Sequence, residues 1–447
     1  MKIEQFYDKG LAHASYAILS EGKIALVDPA RDPQPYYDFA KEHNAAIVAV
    51  FETHPHADFV SSHVEIAKKT GATIYVSKLL GADYEHQSFD DGDELKLGKL
   101  TLRALNTPGH SPDSVTILLL DEQGKQHAAF TGDALFVGDV GRPDLRENVG
   151  NMTAKREELA RQMYHTTNNV FKKLNEEVLV YPAHGAGSLC GKNLSPDTFS
   201  TIGREKSTNY ALQDMSEGDF IKTLLEDQPF IPKYFGHDVS MNKAGATSFE
   251  ESIKAVPRLA PDATLEEGIL IVDTRPQAQY KQGHLPNSIN IQEGGKFETW
   301  LGSIVGPGET FYLIAENEAV LNSVIRKSAK IGYEGNIKGA LLTPAILPEK
   351  SQPTNLADFT NNPGKYTIVD IRNNGEVKAG KIFQNAVTIP LPELRERMHE
   401  IPQDKPVMVH CAAGYRSAAG QSILEQSFTV PVYDLSDAIN SFAAVAH

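Results

Sequence analysis

The second half of this chain repeats itself. Ile269-Leu270-Ile271-Val272-Asp273-Thr274-Arg275 corresponds to Tyr366-Thr367-Ile368-Val369-Asp370-Ile371-Arg372 at a constant offset of 97 residues, so that Ile271 falls on Ile368 and Arg275 on Arg372. Each copy continues through a glycine turn into a short strand, Gly283-His284-Leu285-Pro286-Asn287-Ser288-Ile289-Asn290-Ile291 in the first and Gly380-Lys381-Ile382-Phe383-Gln384-Asn385-Ala386-Val387-Thr388-Ile389 in the second. A repeat of this size is a duplicated domain rather than the unit of a solenoid. The two copies therefore share a fold, and the rest of the 447 residues must build something else. Three modules are expected, over 1–243, 244–350 and 351–447, with Asn242-Lys243-Ala244-Gly245-Ala246 as the first linker.

The copies differ in chemistry. In the second, the strand Val407-Met408-Val409-His410 runs into Cys411-Ala412-Ala413-Gly414-Tyr415-Arg416 and on into a helix. In the first, Phe311-Tyr312-Leu313-Ile314 runs into Ala315-Glu316-Asn317-Glu318-Ala319-Val320, with neither cysteine nor arginine. A Cys-x4-Arg loop entering a helix points successive backbone N–H groups and the helix N-terminus at its own centre, where they stabilise a thiolate or an anionic persulfide. Cys411 is the expected nucleophile and Arg416 a fixed positive charge at the rim, with Ala412, Ala413, Gly414 and Tyr415 lining the cradle. Phosphatases use a similar loop with one more residue, which makes room for a phosphate; the tighter loop suits a single sulfur.

The first module carries metal-ligand spacing. Thr53-His54-Pro55-His56-Ala57-Asp58-Phe59 nearly spells the His-x-His-x-Asp-His signature of a two-metal hydrolase, but an apolar Phe59 stands at the last ligand position. Three later β-branched or apolar runs each end in a Gly- or Pro-containing turn with a potential ligand: Thr107-Pro108-Gly109-His110, Thr131-Gly132-Asp133 and Pro182-Ala183-His184. A helical segment over Ser61 to Lys69, the strand Ala72-Thr73-Ile74-Tyr75-Val76 and hairpins near Asp91-Gly92-Asp93 and Glu122-Gln123-Gly124 complete a pattern of strands with helices outside them. The pattern predicts a four-layer αββα sandwich. His54, His110 and Asp133 form the candidate triad. Two imidazoles and one carboxylate leave open positions suited to a non-haem Fe(II) that binds both substrate and O2, whereas zinc hydrolases of this architecture generate hydroxide between well-ligated ions. His56, Asp58 and His184 are expected to orient these ligands. On spacing alone His56 is equally a fourth ligand.

A formal net charge of −15 and a pI near 5.5 leave no basic stripe to neutralise phosphate, which argues against nucleic acid and anionic membrane as partners. No apolar run approaches the ~20 residues that span a bilayer. The start, Met1-Lys2-Ile3-Glu4-Gln5-Phe6, lacks the pattern of a signal peptide. Two cysteines far apart, Cys190 and Cys411, make no disulfide framework, so the expected setting is a reducing cytoplasm with both thiols free.

Together these residues resemble the bacterial persulfide dioxygenase–rhodanese fusion proteins of the three-part CstB type. The motifs that carry the resemblance are Thr53 to Asp58, Thr107 to His110, Thr131 to Asp133, Asp139-Val140-Gly141-Arg142-Pro143-Asp144-Leu145, Tyr181 to Lys192, Val369-Asp370-Ile371-Arg372 and Cys411 to Arg416. The resemblance implies a metallo-β-lactamase-like αββα dioxygenase followed by two rhodanese-like α/β domains, the first of them inactive. It implies one mononuclear Fe(II) per chain on His54, His110 and Asp133. It implies oxidation of low-molecular-weight thiol persulfides by O2 to sulfite, which the rhodanese joins to sulfane sulfur as thiosulfate, in sulfide detoxification. Cys190, in the loop after His184, would then lie at the metal mouth as a substrate contact or persulfide carrier, and Arg142 and Arg204 would meet the acidic parts of the thiol. A homo-oligomer is also expected. Two residues depart from the family's pattern: Phe59, where simpler members carry His, and Lys381, where rhodaneses carry His. Two other readings compete: a zinc thiolester hydrolase of the glyoxalase II kind fused to a rhodanese, and a non-catalytic sulfur carrier or docking protein.

Overall fold

Side chains alternate along a strand, and here that alternation sorts the first module into layers. In the computed structural model, which describes residues 1–146 and 155–443, one sheet takes its six strands in chain order: Lys2–Asp8, His13–Ser20, Lys23–Val27, Ala46–Phe51, Thr73–Val76 and Gln87–Ser88. The second sheet runs Ser200–Thr201, Leu179–Pro182, Gln126–Gly132, Val115–Leu120, Leu100–Asn106 and Glu94–Leu97. Both are mixed, with parallel and antiparallel neighbours. Ala14, Tyr16 and Ile18, Ala25 and Val27, and Ala49 and Phe51 face Leu100, Leu102 and Ala104, Val115, Ile117 and Leu119, and Ala128 and Phe130 in one core between the sheets. The alternate residues Ala17, Ile24, Leu26, Ile47 and Val50 turn outward against Tyr36 and Phe39 of the helix Gln34–Glu42 and Ile66 of the helix His63–Thr70. On the other side, Leu118, Leu120, Ala129 and Val180 pack under Ala160 and Met163 of the helix Arg156–Asn169 and Phe220 and Leu224 of the helix Glu217–Leu225. The result is helix, sheet, sheet, helix.

Two local expectations change. The turn at Asp91-Gly92-Asp93 is no hairpin, because it carries the chain from the edge of the first sheet to the edge of the second. The expected linker at 242–246 is in part helix. The helix Phe235–Ala244 runs through its first half, and the buried Asn242 carboxamide donates to the His56 and Phe59 carbonyls. The chain divides into two compact units, Met1–Ser252 with Ala329–Gly332, and Ile253–Ser328 with Tyr333 onward.

The second unit holds two four-stranded parallel sheets of one topology: Ser288–Asn290, Leu270–Asp273, Phe311–Ala315 and Ile337–Leu342 in the first, and Val387–Thr388, Thr367–Asp370, Val407–His410 and Val432–Asp434 in the second. The repeated Asp-x-Arg explains why both copies hold their shape. Arg275 clamps Asp273 through Nε at 3.0 Å and Nη2 at 2.6 Å and donates to the Gly283 carbonyl. Arg372 clamps Asp370 at 3.0 and 2.7 Å and donates to the Gly380 carbonyl. Each is a buried, charge-assisted pair tying a strand end to the glycine turn.

Candidate metal centre and sulfur cradle

Four strands of the first module, Ala46–Phe51, Leu100–Asn106, Gln126–Gly132 and Leu179–Pro182, end just before His54, His110, Asp133 and His184. These ends converge. The ligand atoms of His54, His110 and Asp133 lie within 4.8 Å of one another, with His54 Nε2 3.9 Å and His110 Nε2 3.6 Å from Asp133 Oδ2. Donors sharing an ion at bond lengths of about 2.0–2.2 Å sit roughly 3–4 Å apart, so the spacing fits one metal. Gly132 permits the approach: its φ is +52°, and a Cβ there would run into the Thr53 side chain.

Hydrogen bonds fix the orientations of these side chains. His110 Nδ1–H donates to the Arg142 carbonyl at 3.0 Å, which leaves Nε2 as the lone-pair nitrogen. His54 Nδ1 lies 3.0 Å from Thr53 Oγ1, whose hydroxyl donates to Asp28 at 2.9 Å, and the Thr53 N–H donates to the same carboxylate at 2.7 Å. Among the described residues, none donates a hydrogen bond to either carboxylate oxygen of the buried Asp133. A buried carboxylate costs several kcal/mol unless something cationic pairs with it, and the imidazole–carboxylate donor set around Asp133 is one a transition metal takes.

Beside the triad, His184 donates from Nδ1 to the Ala12 carbonyl and points Nε2 at Asp58, 3.3 Å away, and at Asp133, 3.6 Å away. Asp58, His184 and Cys190 form a second group with ligand atoms within 4.8 Å. The loop after His184 thus brings the Cys190 thiol to the cluster, and burial pushes its pKa up. His56 Nε2 sits 3.1 Å from Asp28 and 3.8 Å from Glu52. Burial works against its charge, yet the two carboxylates lift its pKa to about 9. Phe59 is buried where a further histidine would complete a two-metal set, its ring 3.8 Å from that of His13 and 4.4 Å from that of His56.

The arginines go elsewhere. Arg142 is 1 % exposed, and its guanidinium is spent on Asp144 at 2.6 and 2.7 Å and on the Leu189 and Phe230 carbonyls. Its contribution to the site is its peptide group, which receives His110 on the carbonyl and donates its N–H to the Cys190 carbonyl. Arg204 lies exposed on the helix Ile202–Thr208, paired with Asp197 at 2.6 Å, outside the cluster.

In the second unit Cys411 is buried at the end of the strand Val407–His410, and the Gly414 N–H points at its sulfur from 3.1 Å. The Ser417 hydroxyl lies 3.6 Å from the same sulfur. Gly414 has φ +91°, and a Cβ there would come within 2.8 Å of the Ser436 backbone. Ala412 and Ala413 are exposed, which leaves the mouth of the loop unobstructed by side chains. Arg416 holds Glu376 in a bidentate pair at 2.6 and 2.7 Å, so the rim charge has a resident counter-ion. Tyr415 turns away from the cradle to donate to the Gln292 carbonyl of the other copy.

Motif reading does not reach His13, Asp28, Asn242 or Glu376. His13 opens a strand rather than ending one. Asp28 alone left a signal, since it follows the apolar run Ile24-Ala25-Leu26-Val27 directly and turns at φ +51°.

An αββα module with buried metal-ligand clusters, followed by two rhodanese-like copies of which one has a cysteine cradle, defines the class of protein. The metallo-beta-lactamase superfamily model matches residues 8–184, and the rhodanese-like domain model matches 261–338 and 353–444. The chain belongs to the metallo-beta-lactamase superfamily, and its first module is a distant relative of the persulfide dioxygenases. The bovine mitochondrial persulfide dioxygenase ETHE1 is 30% identical over 213 residues, covering 47% of this chain and 74% of the relative. The human one is 29% identical over 204 residues, covering 45% and 71%. The solved metallo-beta-lactamase from Staphylococcus aureus subsp. aureus COL is 33% identical with a TM-score of 0.68, covering 76% of this chain and 99% of that one.

Proposed function

We propose that the chain is a non-haem iron persulfide dioxygenase coupled to a sulfurtransferase, arranged in three modules as in the CstB-type fusions. The observation that carries the reading is the triad of His54, His110 and Asp133, whose carboxylate accepts no hydrogen bond from the described residues, in one chain with the Cys411 cradle. Bound there, Fe(II) would supply O2 activation through the positions that two imidazoles and one carboxylate leave free. The chain's own part is orientation and dryness. The Arg142 carbonyl and the Thr53 hydroxyl keep both Nε2 lone pairs toward Asp133, and Phe59 offers no donor atom at the position where the two-metal signature has histidine. Cys190, beside Asp58 and His184, is positioned to meet the sulfur of a low-molecular-weight thiol persulfide.

The overall change balances as follows: the outer sulfur of the persulfide gives up four electrons to O2, water supplies the third oxygen, and sulfite, the thiol and two protons are released. At Cys411, the sulfite lone pair attacks the outer sulfur of a cysteine persulfide. The S–S bond breaks, the Cys411 thiolate leaves with the electron pair under the Gly414 N–H, and thiosulfate departs. The names of the ETHE1 relatives and the two rhodanese matches support this assignment.

The test is O2 uptake with glutathione persulfide by anaerobically purified protein whose metal is counted. One iron per chain is expected, and Asp133→Ala or His110→Ala should abolish uptake. Full activity with zinc and no iron overturns the assignment. The grouping of Asp58, His184 and Cys190 favours, as the second reading, a zinc thiolester hydrolase of the glyoxalase II kind. Two zinc ions per chain and hydrolysis of a glutathione thiolester would be its signature.

A further inference from the structure

The strand Ser288–Asn290 is the edge of the unarmed copy's sheet, and an edge strand leaves backbone donors and acceptors without partners. The armed copy meets them. The Ser422 hydroxyl accepts from the Asn290 N–H at 2.9 Å, and the Gln426 carboxamide donates to the Ser288 carbonyl. Ser422 lies in the helix Tyr415–Glu425 and Gln426 caps it. The first turn of that helix closes the Cys411 loop. At this end Tyr415 donates to the Gln292 carbonyl at 2.8 Å, and the Arg416 guanidinium, bonded to Glu376, lies 6.0 Å from the centre of the Trp300 ring. Trp300 and Gln292 both belong to the copy without a nucleophile. The helix that shapes the cradle is thus held at both ends by its inactive twin.

We propose that the unarmed copy is a working part of the sulfurtransfer site, and that Trp300 is a positioning residue that supports Arg416 opposite an incoming sulfur oxyanion. The proposal rests on the reading of Cys411 as the sulfurtransfer nucleophile. In the donor half-reaction the Cys411 thiolate attacks the outer sulfur of thiosulfate, the S–S bond breaks, and sulfite leaves with its electron pair. Arg416 must turn part of its charge from Glu376 to the sulfonate. A cation over an indole face is attracted to the ring's π electrons, so Trp300 keeps the guanidinium near the mouth while its partners change.

The experiment uses the full chain, with thiosulfate as donor and cyanide as acceptor. If parental protein and Cys411→Ser form thiocyanate at the same rate, the sulfurtransferase reading itself fails. Given a Cys411-dependent rate, Trp300→Leu should raise KM for thiosulfate and lower kcat/KM about two- to fivefold, and Trp300→Phe, which keeps an aromatic face, should recover most of the loss. Persulfide-dependent O2 uptake should not change. A Trp300→Leu variant with parental kcat/KM, or one no worse than Trp300→Phe, overturns the proposal. A second measurement needs no variant at position 300. Trp300 is the chain's single tryptophan, so indole emission should change on adding thiosulfate to parental protein and stay constant in Arg416→Ala, which lacks the guanidinium beside the ring. Emission unmoved by thiosulfate in the parental protein overturns it equally.

Discussion

Asp28 receives the Thr53 N–H and hydroxyl and faces His56, and through Thr53 it governs how His54 presents its ring. It does so from a left-handed backbone conformation that a non-glycine residue adopts only where surrounding contacts hold it. Thr53→Val keeps the shape and removes the hydroxyl, which frees the His54 ring to rotate and leaves Asp28 short of a donor. The expected cost is about 1–3 kcal/mol of stability and roughly a ten- to hundredfold loss of metal affinity. Thermal unfolding and metal retained after dialysis against a chelator measure the two effects. Parental metal retention by Thr53→Val would mean that the hydroxyl does not orient the ligand. His54, His110, Asp133 and His184 are legible in sequence because each ends an apolar run at a turn. His13 is not, because nothing local marks it and only closure of the sheets brings its ring onto Phe59. Arg142 looks like a charge offered to solvent, yet its counter-ion, Asp144, stands two residues away in the same motif.

At the scale of elements, the helix Tyr415–Glu425 joins reactivity at one end to stability at the other. At its N-cap, the Gly414 N–H points at the Cys411 sulfur. At its C-terminus, where the helix dipole disfavours negative charge, stands Glu425, whose pKa burial raises to about 7 against the opposing effects of Ser351, Gln421 and Lys281. A carboxyl group raised in the folded state from an ordinary value of 4.5 contributes stability that is fully present below that value and lost as pH rises through about 7. Glu425→Gln should therefore raise the melting temperature by a few degrees at about pH 8.5 and make little difference near pH 5. A gain of the same size at both pH values would show that burial of the charge is not the cause. The apolar runs reveal most strands of both units. They do not reveal Gln87–Ser88 or Ser200–Thr201, two-residue strands that exist only because a neighbour pairs with them. The end of the helix Phe235–Ala244 is equally hidden, because its small and polar residues resemble a linker until Asn242 is seen to be buried.

For the whole molecule, the offset of 97 residues in the sequence reappears as strands at Leu270–Asp273 and Thr367–Asp370, so the duplication was open to reading from the start. That the copies grip one another through an edge strand and a helix was not, because those contacts join residues with no shared motif. The chain's net charge of −15 would repel the anionic sulfur species of the proposed reaction, so a positive potential that drew them in would be local, at the Cys411 loop and Arg416. If the two chemistries are coupled, a Cys411→Ser variant should consume O2 at the parental rate and accumulate sulfite in place of thiosulfate. Serine's hydroxyl, with a pKa far above that of a thiol, forms no persulfide even with the Gly414 N–H in place. Arg416→Ala should shift the products the same way more weakly: losing a charge-assisted contact to an anion costs about 1.5–3 kcal/mol, roughly one to two orders of magnitude in rate where the contact acts in the transition state. Thiol-reactive labelling and chromatography quantify both anions in one sample. Thiosulfate formed by the Cys411→Ser variant at the parental, enzyme-dependent rate would separate the two activities and leave the cradle without a part in the oxidation product.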